Sequence, residues 1–332
     1  MRSKDDLRIL QALPLDVKVW KTEQRLREFV NYFGVDGVRI AVSGGKDSTV
    51  LWDIATRLFP EITGLFVDTG LEYPEIRQFV KTLGNIEVVR PKMRFDEVLK
   101  TYGYPVISKE VANCIYWAKR GNQSRVARLN GTWKNADGEK SIYNKEKYKP
   151  LLAVDFNITD RCCDVMKKQP SHKVGKAQIV ATMAEESLLR YSAWIKTGCN
   201  AFEQGKSTPM AFWTEQDVLK YIKERNLPIA SVYGEILYKC ADGGLYEECL
   251  CDGKLCTTGA KRTGCIFCMF GAHRSDDDRF LQLKETHPRQ YEYCMGGGEY
   301  VNGVWQPNKQ GLGMGHVIDT LNKIYGKDFI KY

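Results

Sequence analysis

Apolar residues recur on a helical period from residue 5 to residue 33, with a break near Pro14, so two amphipathic helices are expected there. The period then shortens. "VRIAV" (38–42) predicts a short buried strand, and "STVLWDIATRLF" (48–59) returns to the helical repeat. "ITGLFVD" (62–68) predicts a second strand, "PEIRQFVKTLG" (74–84) a helix ended by Gly84, and "IEVVR" (86–90) a third strand. Farther along, "AQIVATM" (177–183) supplies another strand and "TEQDVLKYIKERN" (214–226) a helix that starts at an N-capping Thr214. Strands alternating with helices imply parallel pairing, hence an α/β fold with a doubly wound parallel sheet.

The pattern lapses between Lys119 and Lys149. "NGTWKNADGEKSIYN" (130–144) predicts a hairpin about Asp137-Gly138. Nine Lys and Arg face three acids over 119–149, and Trp133, Tyr143 and Tyr148 interleave with them. Such a segment is a solvated insertion or an arm for nucleic acid or another partner. From Cys240 the composition shifts to Cys and Gly. These changes divide the chain into an N-terminal helical segment (1–34), a nucleotide-binding domain (35–232) with a basic insertion at about 119–160, and a smaller Cys-rich C-terminal module (233–332).

Composition adds limits. The chain has 332 residues, 43% of them hydrophobic, and a formal net charge of +8, which permits a polyanionic partner without requiring one. The first thirty residues hold Asp5, Asp6, Asp16, Glu23 and Glu28 and no apolar run, so neither a signal peptide nor a membrane span is expected, and a cytoplasmic location is. Eleven cysteines in a reducing compartment point to metal or redox chemistry rather than disulfides. Isolated Cys114 and Cys199 are read as core packing.

The richest chemistry lies in "SGGKDS" (43–48), between the first strand and the helix after it. Gly44 and Gly45 allow a tight turn that aims backbone N–H groups at an anion, and the helix N-terminus adds positive partial charge. Ser43 and Ser48 offer hydroxyls and Lys46 a point charge. Asp47 fits if Mg2+ accompanies the phosphates, or if it fixes the turn by accepting from backbone amides. The spacing is not that of the common Gly-x4-Gly-Lys-Ser/Thr loop.

This hexapeptide resembles the pyrophosphate loop of the PP-loop, or adenine nucleotide alpha-hydrolase-like, superfamily. "FVDTGLEYPE" (66–75), "MAEESLLR" (183–190) and "PMAFWTEQDVLKYIKERNLP" (209–228) resemble motifs of its phosphoadenosine phosphosulfate (PAPS) reductase family, in the family's order over roughly 35–275. The resemblance implies that Ser43, Gly44, Gly45, Lys46, Asp47 and Ser48 hold the phosphates of an adenine nucleotide, with Asp68 and Gly70 beside it. It implies Lys46, Asp47 and Arg190 as catalytic groups, Arg190 as an anion clamp; the alternative for Arg190 is an i,i+4 ion pair with Glu186.

"CCDVMKKQP" (162–170) and "TGCIFCMFGAH" (263–273) pair adjacent cysteines with a distant Cys-x-x-Cys. Four thiolates suit zinc or a 4Fe–4S cluster, and spacing alone does not choose. Similarity to iron–sulfur adenylylsulfate reductases favours a 4Fe–4S cluster on Cys162, Cys163, Cys265 and Cys268, with Lys167 and Lys168 nearby and His273 as a tuning neighbour or an ordinary hydrogen-bonded histidine. Competing sets are Cys240, Cys249, Cys251 and Cys256, or Cys256 with Cys265 and Cys268. The sequence departs from the reductases at two points. It ends "HVIDTLNKIYGKDFIKY" with no cysteine, leaving Cys294 as a candidate loop nucleophile, and it reads Ala181-Thr182-Met183 where the family has Gly-x-Arg. The expected activity is therefore an ATP-dependent adenylating sulfurtransferase with a nucleic-acid or other acceptor, Mg2+ and a separate sulfur donor. The alternatives are reduction of adenylylsulfate or PAPS with a thioredoxin-like reductant, and a nucleotide-binding subunit without chemistry.

Overall fold

The computed structural model describes residues 2–248, 253–275 and 277–332. Its packing separates two compact units. The first comprises Met1–Asp68, Glu72–Arg90 and Ser171–Thr263, and the second Thr69–Leu71, Pro91–Pro170 and Gly264–Tyr332. Neither is continuous along the chain. The boundaries at 34/35 and 232/233 follow composition whereas these units follow packing, so the two partitions differ.

The first unit is built on a six-stranded sheet. Three strands come early: β1 (Val38–Ala41), β2 (Gly64–Val67) and β3 (Ile86–Val89). The strand β4 (Val106–Ile107) belongs to the second unit, and β5 (Ala177–Ile179), β6 (Asn200–Ala201) and β7 (Lys206–Ser207) complete the sheet. The order is β3-β2-β1-β5-β7-β6, parallel except at the β6–β7 edge. Register is set by Ile40 opposite Gly64 on one side and Ile179 on the other. At Gly64 even a Cβ would stand 2.4 Å from Ile86 Cδ1, so glycine permits this pairing. Because β2 and β3 lie on one side of β1 and β5 on the other, the chain reverses direction across the sheet between β1 and β5. Open α/β sheets bind ligands at the carboxyl ends of strands flanking such a point.

The expected elements form, with shifts. The first helix runs Lys4–Gln11 behind a Ser3 capping box, and the second runs Leu15–Phe33, so the break falls at Pro14. The helix Lys46–Leu58 buries Val50, Leu51, Ile54 and Ala55 completely, the stripe its period predicts, at about 2 kcal/mol for each large aliphatic side chain. Thr214 caps Glu215–Glu224 reciprocally with Asp217. β1 is not buried on both faces. Val38 and Ile40 are fully enclosed, but Arg39 reaches the Glu87 carboxylate at 3.0 Å. The strand expected over 177–183 stops at Ile179, because Thr182 N–H turns back to the Val180 carbonyl.

In the second unit β4 pairs in parallel with the strand Met269–Phe270. Tyr104, Phe156, Phe280, Leu283, Val317 and Leu321 are among its enclosed side chains. The hairpin over 130–144 is present, with Lys134 and Lys140 opposed and Gly138 at φ +84°. Among the described residues no helix is long and apolar enough to cross a membrane.

Candidate nucleotide site and cysteine cluster

The 43–48 segment leaves β1 at the carboxyl edge of the sheet and opens the helix Lys46–Leu58, with Gly45 as N-cap. Gly44 sits at φ +72°, and a Cβ there would stand 2.7 Å from Ile76 Cγ2 and 2.9 Å from Val80 Cγ2. Only glycine meets both demands. The serines act on the loop itself. Ser48 Oγ donates to the Gly45 carbonyl at 2.9 Å and accepts from Ser43 N–H at 3.1 Å, and the two hydroxyls are 3.0 Å apart. Thr49 Oγ1 also donates to the Gly45 carbonyl.

Asp47 does not fix the turn. Its Oδ1 is buried and accepts no hydrogen bond. Burial, first of all, pushes its carboxyl up to about 6; Lys46 opposes the shift, and Glu186 and Glu215 add to it. A carboxylate oxygen buried without a partner beside a helix N-terminus is a candidate cation ligand.

Lys46 is buried as well. Its Nζ donates to Glu215 Oε1 at 2.6 Å and to the Lys261 carbonyl at 2.9 Å, and its backbone N–H donates to the Tyr233 hydroxyl at 3.2 Å. Tyr233 OH in turn bonds Thr263 Oγ1. Glu215, Tyr233, Lys261 and Thr263 thus surround the loop, and none was singled out from the sequence. Glu215 sits in the first turn of its helix and Tyr233 ends a short 3-10 turn, Ser231–Tyr233, before Gly234, but neither position carries a spacing that points back to residue 46.

Asp68 lies just past β2, buried, with Arg77 at 3.0 Å and Arg90 at 3.2 Å from Oδ2. Gly70 belongs to the second unit and has φ +75°. Arg190, in the first turn of the helix Leu188–Thr197, is ion-paired with Glu186 of the preceding 3-10 turn, so the alternative pair is present.

The second unit holds all four favoured cysteines. Cys162 and Cys163 precede a π-helical turn, Asp164–Lys168, and Cys265 and Cys268 precede the strand Met269–Phe270. Cys162 is pushed well up, first by its hydrogen bond with Cys163 and then by burial, with Cys268 and Cys265 also acting on it. Cys163 is lowered to about 6, first by that same bond; burial opposes this, and Lys109 and Lys167 support it. Burial alone would lower the Lys109 ammonium, but the thiols around it, Cys163 foremost, raise it. The sulfurs are within electrostatic reach of one another. Among the described residues, however, no three His, Cys, Asp or Glu side chains are gathered closely enough to hold a metal ion. Lys168 turns to Asp164 at 2.6 Å.

The competing sets divide. Cys249 and Cys251 lie outside the described residues, and Cys240 and Cys256 belong to the first unit, apart from Cys265 and Cys268 in the second. His273 is not ordinarily hydrogen-bonded, because its buried Nδ1 has no partner and its ring stacks on Phe329. Cys294 is not on a loop. It is fully enclosed on the helix Pro288–Met295 with its sulfur 3.4 Å from that of Met314, and burial drives its thiol far up. A protonated, sealed thiol is no nucleophile, so that candidate is corrected.

A parallel sheet with a glycine turn at its direction change, opening a helix N-terminus, defines a nucleotide-binding α/β protein. The sequence signature of the phosphoadenosine phosphosulfate reductase domain matches residues 37–119 and 124–269, more than half of the chain, and the chain belongs to that family, within the PP-loop superfamily. The phosphoadenosine 5'-phosphosulfate reductase of Gloeobacter violaceus is 25% identical over 216 residues, which cover 64% of this chain and 72% of that one. The tRNA-5-methyluridine(54) 2-sulfurtransferase of Thermus thermophilus is 38% identical over 71 residues, 21% of this chain and 22% of that one. Among solved structures, a PAPS reductase from Candida auris covers 70% of this chain and 91% of its own at a TM-score of 0.37 and 14% identity.

Proposed function

We propose that the protein is an ATP-dependent adenylating sulfurtransferase whose acceptor is a nucleic acid. The observation that carries this reading is the Asp47 carboxyl, partly enclosed at the start of a phosphate loop with its Oδ1 buried and unpartnered. Mg2+ characteristically takes one or two protein carboxylates and completes its shell with substrate phosphates and water, and Asp47 fits that role. A sulfonucleotide has no terminal triphosphate for such an ion to bridge.

In this reading the helix N-terminus receives the phosphates, with the Gly45 amide exchanging Ser43 Oγ, the Lys46 amide the Tyr233 hydroxyl and Lys46 Nζ the Glu215 carboxylate for phosphate oxygen. An acceptor oxygen attacks the alpha phosphorus and pyrophosphate leaves. Preorganised N–H groups and the Lys46 charge stabilise the transition state. A sulfur nucleophile then displaces AMP. Cys162, Cys163, Cys265 and Cys268 are the candidate ligands of a 4Fe–4S cluster, and their side chains would have to draw closer together than they stand here to hold it; the lowered Cys163 thiol suits a soft metal ligand. The similarity to a tRNA sulfurtransferase supports a nucleic-acid acceptor.

Sulfonucleotide reduction is the second reading, favoured by the relatives named as PAPS reductases. Against it, the Cys294 thiol is sealed in the core. Protein purified without oxygen is to be assayed with ATP, adenylylsulfate and PAPS, alongside its iron content. Pyrophosphate from ATP and about four irons per chain are expected. Sulfite from a sulfonucleotide, with ATP inert, would replace this reading with the second. Nucleotide binding without turnover would leave a non-catalytic subunit, and zinc in place of iron would remove the cluster.

A further inference from the structure

In the second unit an open cavity of about 410 Å³ is lined by Glu110 of the helix Lys109–Ala118, Ser124, Arg125 and Arg128 of the helix Gln123–Asn130, and Trp133 and Tyr143 of the basic hairpin. Its volume is in the ~300–1,000 Å³ span of small-ligand sites. Two aromatic rings line it and still face solvent, Trp133 at 39% exposure and Tyr143 at 57%.

The wall behind them is fixed. Arg128 is buried, donating from Nε to the Tyr143 carbonyl at 2.9 Å and from Nη2 to Glu110 at 2.6 Å; Lys145 joins the same carboxylate at 3.3 Å. Asn144 brackets Trp133, accepting from its backbone N–H at 3.2 Å and donating to its carbonyl at 3.0 Å. These bonds fix the backbone that carries the ring and leave the ring itself uncovered. Within the wall, the acid is already neutralised by two cations, whereas the Arg125 guanidinium makes no ion pair among the described residues. The charge balance points the same way. The second unit carries 24 Lys and Arg against 17 Asp and Glu, so nearly all of the chain's net +8 lies there.

We infer that this cavity is a nucleobase-stacking site for single-stranded nucleic acid, with a base against Trp133 and Tyr143 and the adjoining phosphate at Arg125. Held aromatic faces beside spare cations are the means by which proteins grip single strands, and a duplex cannot present an unstacked base. The inference rests on the proposed nucleic-acid acceptor and locates where it docks.

The test is equilibrium binding of short fluorescent single strands, RNA and DNA arms in parallel, to the full-length protein without nucleotide, against a duplex of the same sequence. Single strands should bind more tightly than duplex. Trp133→Ala and Tyr143→Ala should each weaken binding by about ten-fold, the scale of one lost stacking contact, with the salt dependence unchanged. Trp133→Phe should restore most of it, and an unchanged melting temperature identifies the folded variants. Arg125→Ala should lower the slope of log affinity against log salt by about 0.7. A preference between the RNA and DNA arms identifies the natural strand. Equal binding of duplex and single strand, or wild-type affinity in both ring variants, would overturn the inference. Because no ATP is present, strand binding without pyrophosphate release would leave the cavity's role standing and remove only adenylation, and the converse result would do the reverse.

Discussion

Asp47→Asn should make the protein more stable and inactive at once. The Asp47 carboxyl is buried, its Oδ1 lacks a partner, and burial raises it from 3.8 to about 6. The folded state therefore holds this proton more tightly than the unfolded chain does. That favours folding below pH 4, and the benefit is lost as pH rises through 6. At ~1.4 kcal/mol per pH unit, ionising Asp47 in the folded state costs about 3 kcal/mol by pH 8. Asparagine keeps the shape without the charge. Urea unfolding followed by tryptophan fluorescence should show Asp47→Asn more stable than wild type by about 3 kcal/mol at pH 8, with the gap closing by pH 3. The same variant should release no pyrophosphate from ATP, since a neutral amide holds Mg2+ poorly. Strain retained at a site that function requires is a known trade. Equal or lower stability at pH 8, or a gap that persists at pH 3, would refute the electrostatic reasoning, and undiminished turnover would refute the metal role.

Gly44→Ala meets both a left-handed φ and two methyl groups under 3 Å away, and should destabilise the first unit by about 2–4 kcal/mol, read as a lower urea midpoint. A variant as stable as wild type would mean that the loop moves freely. Arg190→Ala removes an exposed ion pair with Glu186, which is worth no more than about 0.5 kcal/mol. Its melting temperature should hardly move while KM for the nucleotide rises; lost stability with KM unchanged would make Arg190 a support for its helix alone.

The sequence by itself determined the order and type of the elements around the site. Periods of 3.6 and 2 report which face of a local segment is buried, and the glycine pair, Thr214 and Pro14 mark ends through their own backbone preferences, so the loop, its helix and the parallel strands could all be placed. The hairpin was likewise written in Asp137-Gly138. Only the tertiary structure decided what those elements meet. Lys46 is held by Glu215, Lys261 and, through its amide, Tyr233, residues at least 169 positions away, and long-range contacts leave no periodic trace. Whether a side chain is enclosed is set by the same packing. It seals Cys294 against Met314, leaves Asp47 Oδ1 buried without a partner, and joins stretches as distant as Cys162 and Cys268 in one unit. Residue type and spacing name the groups capable of chemistry, but burial and neighbours set their charge, and those arise only when the chain closes on itself.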